Sequence, residues 1–375
     1  MTASQRRRFD PETALRPAIH ALPGYQGVED LATVAAEYGV DPASVIKLDG
    51  NENPYGPAPK VLEVLRQGFP VHQYPDAEQR KLRRALGLHL GVDPASVVVG
   101  AGSDELIELL FRLFVDTGDR IVTASPTFGM YGFDGHLHGA EVVDVPLNDD
   151  WSFDTEAFLA AAASARAVFI PSPNNPTGAL MPESLIDQVL ATGALLVVDE
   201  AYIEFAHRES LAKRAAGEPG LVVLRTFSKW GGIAGLRIGY GVMAPAIVNL
   251  ILRAKQPYNV GIAAEMAALA TLEDVAVLDD RACVIAGERD RMGKALRALG
   301  WIEPSPSEAN FLLCRVTRFN GRDVRDALRR RGVFVRYFDT PRLRDHIRFS
   351  MGTPDQNTQV LAAFESVARE LEVAK

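Results

Sequence analysis

Between residues 97 and 245, six short apolar runs alternate with stretches of helical pattern, and this alternation limits the fold more than any other feature. The runs are 97–99, 121–123, 142–145, 167–170, 195–198 and 222–224. Continuous apolar runs of this length suit strands buried on both faces. Strands that alternate with helices build a mainly parallel α/β sheet. Ligands of such sheets sit beyond the carboxyl ends of the strands, so the residues that follow each run are the ones to read for chemistry.

The flanks carry a different pattern. Residues 1–45 are broken by Pro17, Pro23 and Gly24 and read as an arm with one short helix around 28–38. Segments 58–68 and 77–91 are helical, and 265–300 reads as one long helix or two shorter ones. A second α/β pattern follows: strand 311–314, helix 321–331, strands 333–336 and 346–350, then a helix to the end. A chain of 375 residues exceeds what one hydrophobic core usually supports. The expected division is an N-terminal arm at 1–45 packing with the small domain, a large domain at 46–262 and a small C-terminal domain at 263–375. Internal repeats and low-complexity segments are absent.

Forty basic against 48 acidic side chains give 40 − 48 = −8. That balance argues against nucleic acid or an anionic membrane as a partner, because both require a basic face. Any anion must then be captured by a few placed groups. With only Cys283 and Cys314, neither a disulfide framework nor a zinc cluster can be built, so no metal is expected and a reducing cytoplasm fits. No apolar run reaches the ~18 residues a membrane helix needs. Arg6-Arg7-Arg8-Phe9 lacks the apolar stretch of an export signal and reads as a solvated basic arm.

Four strand ends hold suggestive chemistry. Run 97–99 leads through Gly100-Ala101-Gly102 into Ser103-Asp104-Glu105 and a helix, in which Leu106, Leu109, Leu110 and Leu113 recur at helical spacing and Glu108 faces Arg112. Ser103 reads as its N-cap, and the free N–H groups of a helix start attract anions. Run 167–170 leads to Asn174-Asn175 between prolines, a rigid turn whose amide can donate to a phenolate. Run 195–198 ends on Asp199, three residues before Tyr202; a carboxylate at a buried strand end needs a partner, and a protonated pyridine nitrogen is one. Run 222–224 leads to Ser228-Lys229 and, beyond it, Arg237; nearby cations and burial make such a lysine nucleophilic, while Ser228 and Arg237 can grip a phosphate. Taken singly, these features also read as a capped helix, an Asx-turn, an ion pair and a surface lysine. Together they form a binding set for a phosphorylated pyridine aldehyde, with Phe128 after a further run to stack on its ring.

These residues bring out a resemblance. The segments Leu48-Asp49-Gly50-Asn51-Glu52-Asn53-Pro54-Tyr55-Gly56-Pro57, Gln73-Tyr74-Pro75-Asp76, Pro126-Thr127-Phe128-Gly129-Met130-Tyr131, 172–178, 199–205 and 226–237 resemble, in order and spacing, those of fold-type I pyridoxal-phosphate (PLP) aminotransferases. More narrowly, the chain is similar over nearly its whole length to the histidinol-phosphate aminotransferase family. The resemblance implies that Gly102, Ser103 and Asp104, with Ser228 and Arg237, cradle the PLP phosphate. It implies that Phe128 stacks on the ring, that Asn175 and Tyr202 bond its phenolic oxygen, and that Asp199 pairs with its nitrogen. Lys229 is implied to carry PLP as a Schiff base and then to shuttle the proton. Tyr74 is implied to reach the cofactor phosphate of a neighbouring subunit, so a homodimer is expected. On the substrate side the implied contacts are Arg348, Arg336, Tyr25, Asn53 and Asn310. Two departures from the family pattern are Trp230-Gly231-Gly232 after the lysine and Gly24 before Tyr25.

The implied reaction is ping-pong transamination between L-histidinol phosphate and 2-oxoglutarate in histidine biosynthesis. The same cofactor grip also serves an aromatic amino acid aminotransferase or a threonine-phosphate decarboxylase of this fold. A PLP-dependent transcription regulator would need an appended DNA-binding unit, and residues 1–45 show no helix-turn-helix.

Overall fold

The structure is a computed structural model that describes residues 9–20, 22, 27 and 29–373. Its strands are β1 (Ile46–Lys47), β2 (Val97–Gly100), β3 (Arg120–Ser125), β4 (Glu141–Pro146), β5 (Ala167–Pro171), β6 (Leu195–Asp199), β7 (Leu221–Thr226), β8 (Gly239–Met243), β9 (Ile302–Pro304), β10 (Phe311–Val316), β11 (Val333–Phe334), β12 (Arg336–Tyr337) and β13 (His346–Ser350). Seven of them form one sheet in the order β2-β8-β7-β6-β5-β3-β4. Strands β7, β6, β5, β3 and β4 pair in parallel, while β8 runs antiparallel to both of its neighbours.

The continuous apolar runs have a physical cause here. Successive residues of a strand point to opposite faces. Val97, Val99, Val168, Ile170, Leu196, Val198 and Val223 enter one buried cluster. Val98, Phe169, Val197, Val222 and Leu224 enter a second. Each of these strands thus serves two cores, so both alternate positions are apolar over most of its length. Helix Ser103–Phe114 covers the second face with Leu106, Ile107, Leu109 and Leu110, and its outer side carries the Glu108–Arg112 pair at 2.8 Å.

Strand β8 escapes the sequence pattern because it reads Gly-Tyr-Gly-Val-Met rather than as an apolar run. Gly239 is required there by close approach: a Cβ would lie 2.6 Å from the backbone nitrogen of Ser103. The region expected as one or two helices is two, Ile262–Glu273 and Val275–Ala298. The first of these packs on helices Pro59–Gln67 and Arg80–Leu90, so the structure groups 262–273 with elements before the expected boundary rather than after it.

A four-stranded antiparallel sheet, β12-β13-β10-β9, forms the C-terminal part. The single strand expected at 333–336 is divided. Its first half, β11, pairs in parallel with β1, and its second, β12, pairs with β13. That division sets Arg336 directly across from Arg348. The arm divides as well. Helix Leu31–Glu37 buries Val34 and Ala35 against Phe334, whereas helix Pro17–His20 lies on helix Met130–His138, with Arg16 Nη2 donating to the Leu137 carbonyl at 3.0 Å.

Candidate active site

The carboxyl ends of β2, β3, β5, β6 and β7 open on one cavity of about 470 Å³. Its walls include Ser103, Asp104, Phe128, Asn175, Asp199, Tyr202, Ser228, Lys229 and Arg237, which the sequence placed on separate segments. Strand ends bring them together, because a parallel sheet points all its carboxyl ends the same way.

One end of the cavity is built for an anion. Gly102, with φ of 85°, caps helix Ser103–Phe114, so Ser103 is its first residue and not its N-cap. The first-turn N–H groups have no acceptor within the helix and face outward along the positive end of its dipole. Arg237 closes this end: its Nη2 bonds Asp104 at 2.9 Å and its Nη1 lies 3.4 Å from the Ser228 hydroxyl. A Cβ on Gly102 would stand 2.7 Å from Arg237 Nη2, so the glycine makes room for the guanidinium. Thr226 Oγ1 orients Ser228, accepting its backbone N–H at 3.1 Å and donating to its hydroxyl at 2.9 Å.

Asp199 supplies the opposite charge. Burial pushes its carboxyl up to about 6, against the pull of the Tyr131 hydroxyl, which donates to Oδ2 at 2.9 Å. The Ala201 N–H donates to Oδ1 at 3.1 Å. A buried carboxylate with this upward shift gains from a cationic partner such as a pyridinium.

Lys229 Nζ donates to the Gly50 carbonyl at 2.9 Å and stands 5.9 Å from the centre of the Tyr202 ring. Burial above all, then the cationic Arg348 and Arg237, lowers its ammonium to about 8, while Glu52 opposes the shift. At pH 7 such an amine is neutral in about a tenth of molecules, against well under a thousandth for an ordinary lysine. Carboxylate, nucleophilic amine and anion pocket therefore fit a phosphorylated pyridine aldehyde, on the chemistry of these donors alone.

Beyond Lys229 the wall is basic. Arg348 donates Nη2 to the Asp49 carbonyl at 2.6 Å and Nη1 to Asn175 Oδ1, and its guanidinium lies 5.4 Å from the Phe311 ring centre. Arg336 donates to the Gly27 carbonyl at 3.0 Å and lies over Phe338. Both arginines line the cavity.

Asn53 and Asn310 do not line the cavity, and Tyr74, expected at a neighbouring subunit's cofactor, lies outside it too. Asn53 spends its side chain on a turn, donating to the Trp230 carbonyl at 2.9 Å and accepting the Tyr55 N–H at 3.0 Å. Asn310 is fully buried behind the wall and donates to the Asn51 carbonyl at 3.2 Å. Tyr74 is 81% exposed, stacked on Tyr258 with ring centres 4.4 Å apart, and is not part of this chain's cavity. Tyr25 lies outside the described residues.

Three further residues have partners that the sequence does not show. Tyr131 and Asn51 lay inside quoted motifs but carried no sign of their targets. Asn51, in the left-handed region at φ 53°, donates to the Tyr202 hydroxyl at 3.0 Å. Trp230, unusual after the lysine, is buried and donates its indole N–H to Asp279 at 3.1 Å, tying the lysine loop to helix Val275–Ala298.

Known proteins match this arrangement. A histidinol-phosphate aminotransferase from Roseiflexus castenholzii is 43% identical over 367 residues, which cover 94% of this chain and 98% of that protein. The chloroplastic histidinol-phosphate aminotransferase of Nicotiana plumbaginifolia is 39% identical, covering 96% of this chain and 88% of that protein. The crystal structure of histidinol-phosphate aminotransferase from Sinorhizobium meliloti, in complex with pyridoxal-5'-phosphate, superposes with a TM-score of 0.86 at 30% identity, over 96% of this chain and 98% of that one. The family model for aminotransferase class I and II matches residues 43–364, which span every strand and side chain of the cavity described above, and the chain belongs to that family.

Proposed function

We propose that this chain is a PLP-dependent transaminase that interconverts L-histidinol phosphate and 2-oxoglutarate with imidazole-acetol phosphate and glutamate, in histidine biosynthesis. The observation that carries the reading is the second basic wall. Arg336 and Arg348 face each other in register and line the cavity with Lys229, in addition to Arg237 at the anion end. A substrate phosphate and a dicarboxylate side chain are both anions that a guanidinium pair can hold in turn. Relatives named for this reaction, similar over nearly the whole chain, support the same substrate.

When bound, PLP supplies an electron sink for the bonds at the substrate Cα. Ser103, Ser228 and Arg237 hold its phosphate, and Asp199 keeps the pyridine nitrogen protonated. Asn175 and Tyr202 bond the phenolic oxygen, and Phe128 covers the ring. Tyr131 and Asn51, as donors to Asp199 and Tyr202, fix two of the side chains that meet the ring. Lys229 Nζ anchors the cofactor and, once released, takes the proton from Cα and returns it.

The working unit in this reading is a cytoplasmic homodimer, in which Tyr74 reaches the cofactor phosphate of the neighbouring subunit. The exposure of Tyr74 supports this. No helix among the described residues is long and apolar enough to cross a membrane.

Two measurements test the proposal. Single half-reactions, followed by the visible absorbance of the bound cofactor, should run fastest with histidinol phosphate. Phenylalanine outrunning it would overturn the substrate, and decarboxylation of phosphothreonine would overturn the reaction. Separately, the rate at which PLP reconstitutes the apoprotein should climb with pH up to about 8 and then level off, because only the neutral Lys229 amine attacks the aldehyde and burial has lowered its pKa. A rate that keeps climbing past pH 10 would show an ordinary, exposed lysine.

A further inference from the structure

The N-cap of helix Ser103–Phe114 is a glycine, so no cap side chain holds the turn that meets the anion. Glu105 does that work from inside the first turn. Its Oε2 accepts the Ala101 N–H at 2.6 Å, a reach backward like that of a capping box. The same oxygen accepts Asn259 Nδ2 at 2.7 Å. Asn259 Oδ1 then accepts Lys255 Nζ at 2.6 Å. Lys255 Nζ continues to the Ala77 carbonyl at 2.6 Å and to Gln79 Oε1 at 3.3 Å. Lys255 and Gln79 are buried, and Gln79 adopts the left-handed region at φ 48°.

The chemistry of this chain of contacts is directional. All three acceptors around Lys255 are neutral oxygens, so the ammonium orients the Asn259 amide, oxygen toward itself and nitrogen toward Glu105. Glu105 then has two donors on one oxygen, which fix its rotamer. A Glu105 without Asn259 keeps only the Ala101 N–H. When that single bond opens, it is an anion in the first turn of the helix that must accept a phosphate, where it competes for the N–H groups and repels the ligand.

We infer that Asn259, oriented by Lys255, is a positioning residue for the phosphate end of the cavity, holding Glu105 so that the 101–104 turn is shaped before the cofactor arrives. None of the three side chains lines the cavity, so the effect acts through the turn. The inference rests on the proposed use of PLP.

The test is titration of purified apoprotein with pyridoxal 5'-phosphate, followed by absorbance, beside melting curves with and without it. Asn259→Ala is expected to raise the Kd for PLP about tenfold, equivalent to 1.4 kcal/mol. The gain in melting temperature on adding PLP should shrink, while the melting temperature of the apoprotein changes far less. Lys255→Met, which removes the orienting charge, should shift the Kd in the same direction and guards against an Asn259→Ala protein that fails to fold. Glu105→Gln keeps an oxygen for the Ala101 N–H and should bind PLP more tightly than Glu105→Ala. An unchanged Kd in Asn259→Ala, with any loss confined to the melting temperature of the apoprotein, would overturn the inference and leave the proposed function standing. A wild-type apoprotein that takes up no PLP would overturn both.

Discussion

Lys229→Ala is expected to abolish transamination while leaving PLP bound. The loss should be at least about 10⁴-fold in kcat, the upper end of what a positioned proton-transfer group supplies, because the same side chain also anchors the cofactor. Retention follows from the rest of the site: the anion end at Ser103, Ser228 and Arg237 and the carboxylate of Asp199 do not depend on the lysine. Burial costs point the same way. The Lys229 ammonium is disfavoured in its pocket and lies among the fields of Arg348 and Arg237, so alanine removes an unfavourable charge from the apoprotein. The checks are absorbance of the purified variant, which should match free PLP in position rather than the lysine-bound form, and turnover with histidinol phosphate and 2-oxoglutarate. Full turnover in this variant would remove the basis of the mechanism.

Asp199→Asn should produce the second largest loss, about a hundred- to a thousandfold in kcat, the range for removing one preorganised charge that stabilises a transition state. An asparagine has nearly the same shape but cannot keep a pyridine nitrogen protonated. The variant also separates chemistry from stability. The Asp199 carboxyl is raised to about 6 in the fold, above its unfolded value near 4. The folded apoprotein therefore holds this proton more tightly than the unfolded chain. Stability from this group is present at low pH and is lost as pH rises through about 6, at a cost on the order of 3 kcal/mol at neutral pH. Asp199→Asn apoprotein should accordingly melt no lower than wild type at pH 8, and its advantage should vanish below about pH 4. A variant that is both inactive and markedly less stable at pH 8 would mean that Asp199 is a structural ion partner instead. Tyr131→Phe, which removes only the hydroxyl donor at 2.9 Å, should give a smaller loss of the same kind.

Much of the large sheet was legible because its signals are local. Strands β2 to β7 announce themselves as apolar runs, and Gly102, Asn175, Asp199 and Lys229 stand at fixed offsets after them. Strand β8 was not legible, since two of its five residues are glycines, one of which, Gly239, is needed for close approach to the Gly102-Ser103 backbone. The same limit explains Asn53 and Asn310. Their side chains are taken by the Trp230 and Asn51 carbonyls, across 177 and 259 residues of chain. Nothing within the segments 48–57 or 307–311 indicates those partners.

The sequence by itself determined six strands of the large sheet, the order of their strand-end residues and the set of chemical groups available to a phosphorylated cofactor. Periodicity, turn chemistry and the cost of a buried charge act within a few residues and can be read there. Only the tertiary structure decided which of those groups meet. The division of 333–336 between two sheets sets Arg336 against Arg348. The burial of Lys229, with the fields of Arg348 and Arg237, lowers the pKa of its amine. Tyr131 reaches Asp199 from 68 residues away, and Asn259 reaches Glu105 from 154. Such contacts depend on how whole elements pack, and a side chain's field and hydrogen-bond partners exist only once that packing has formed.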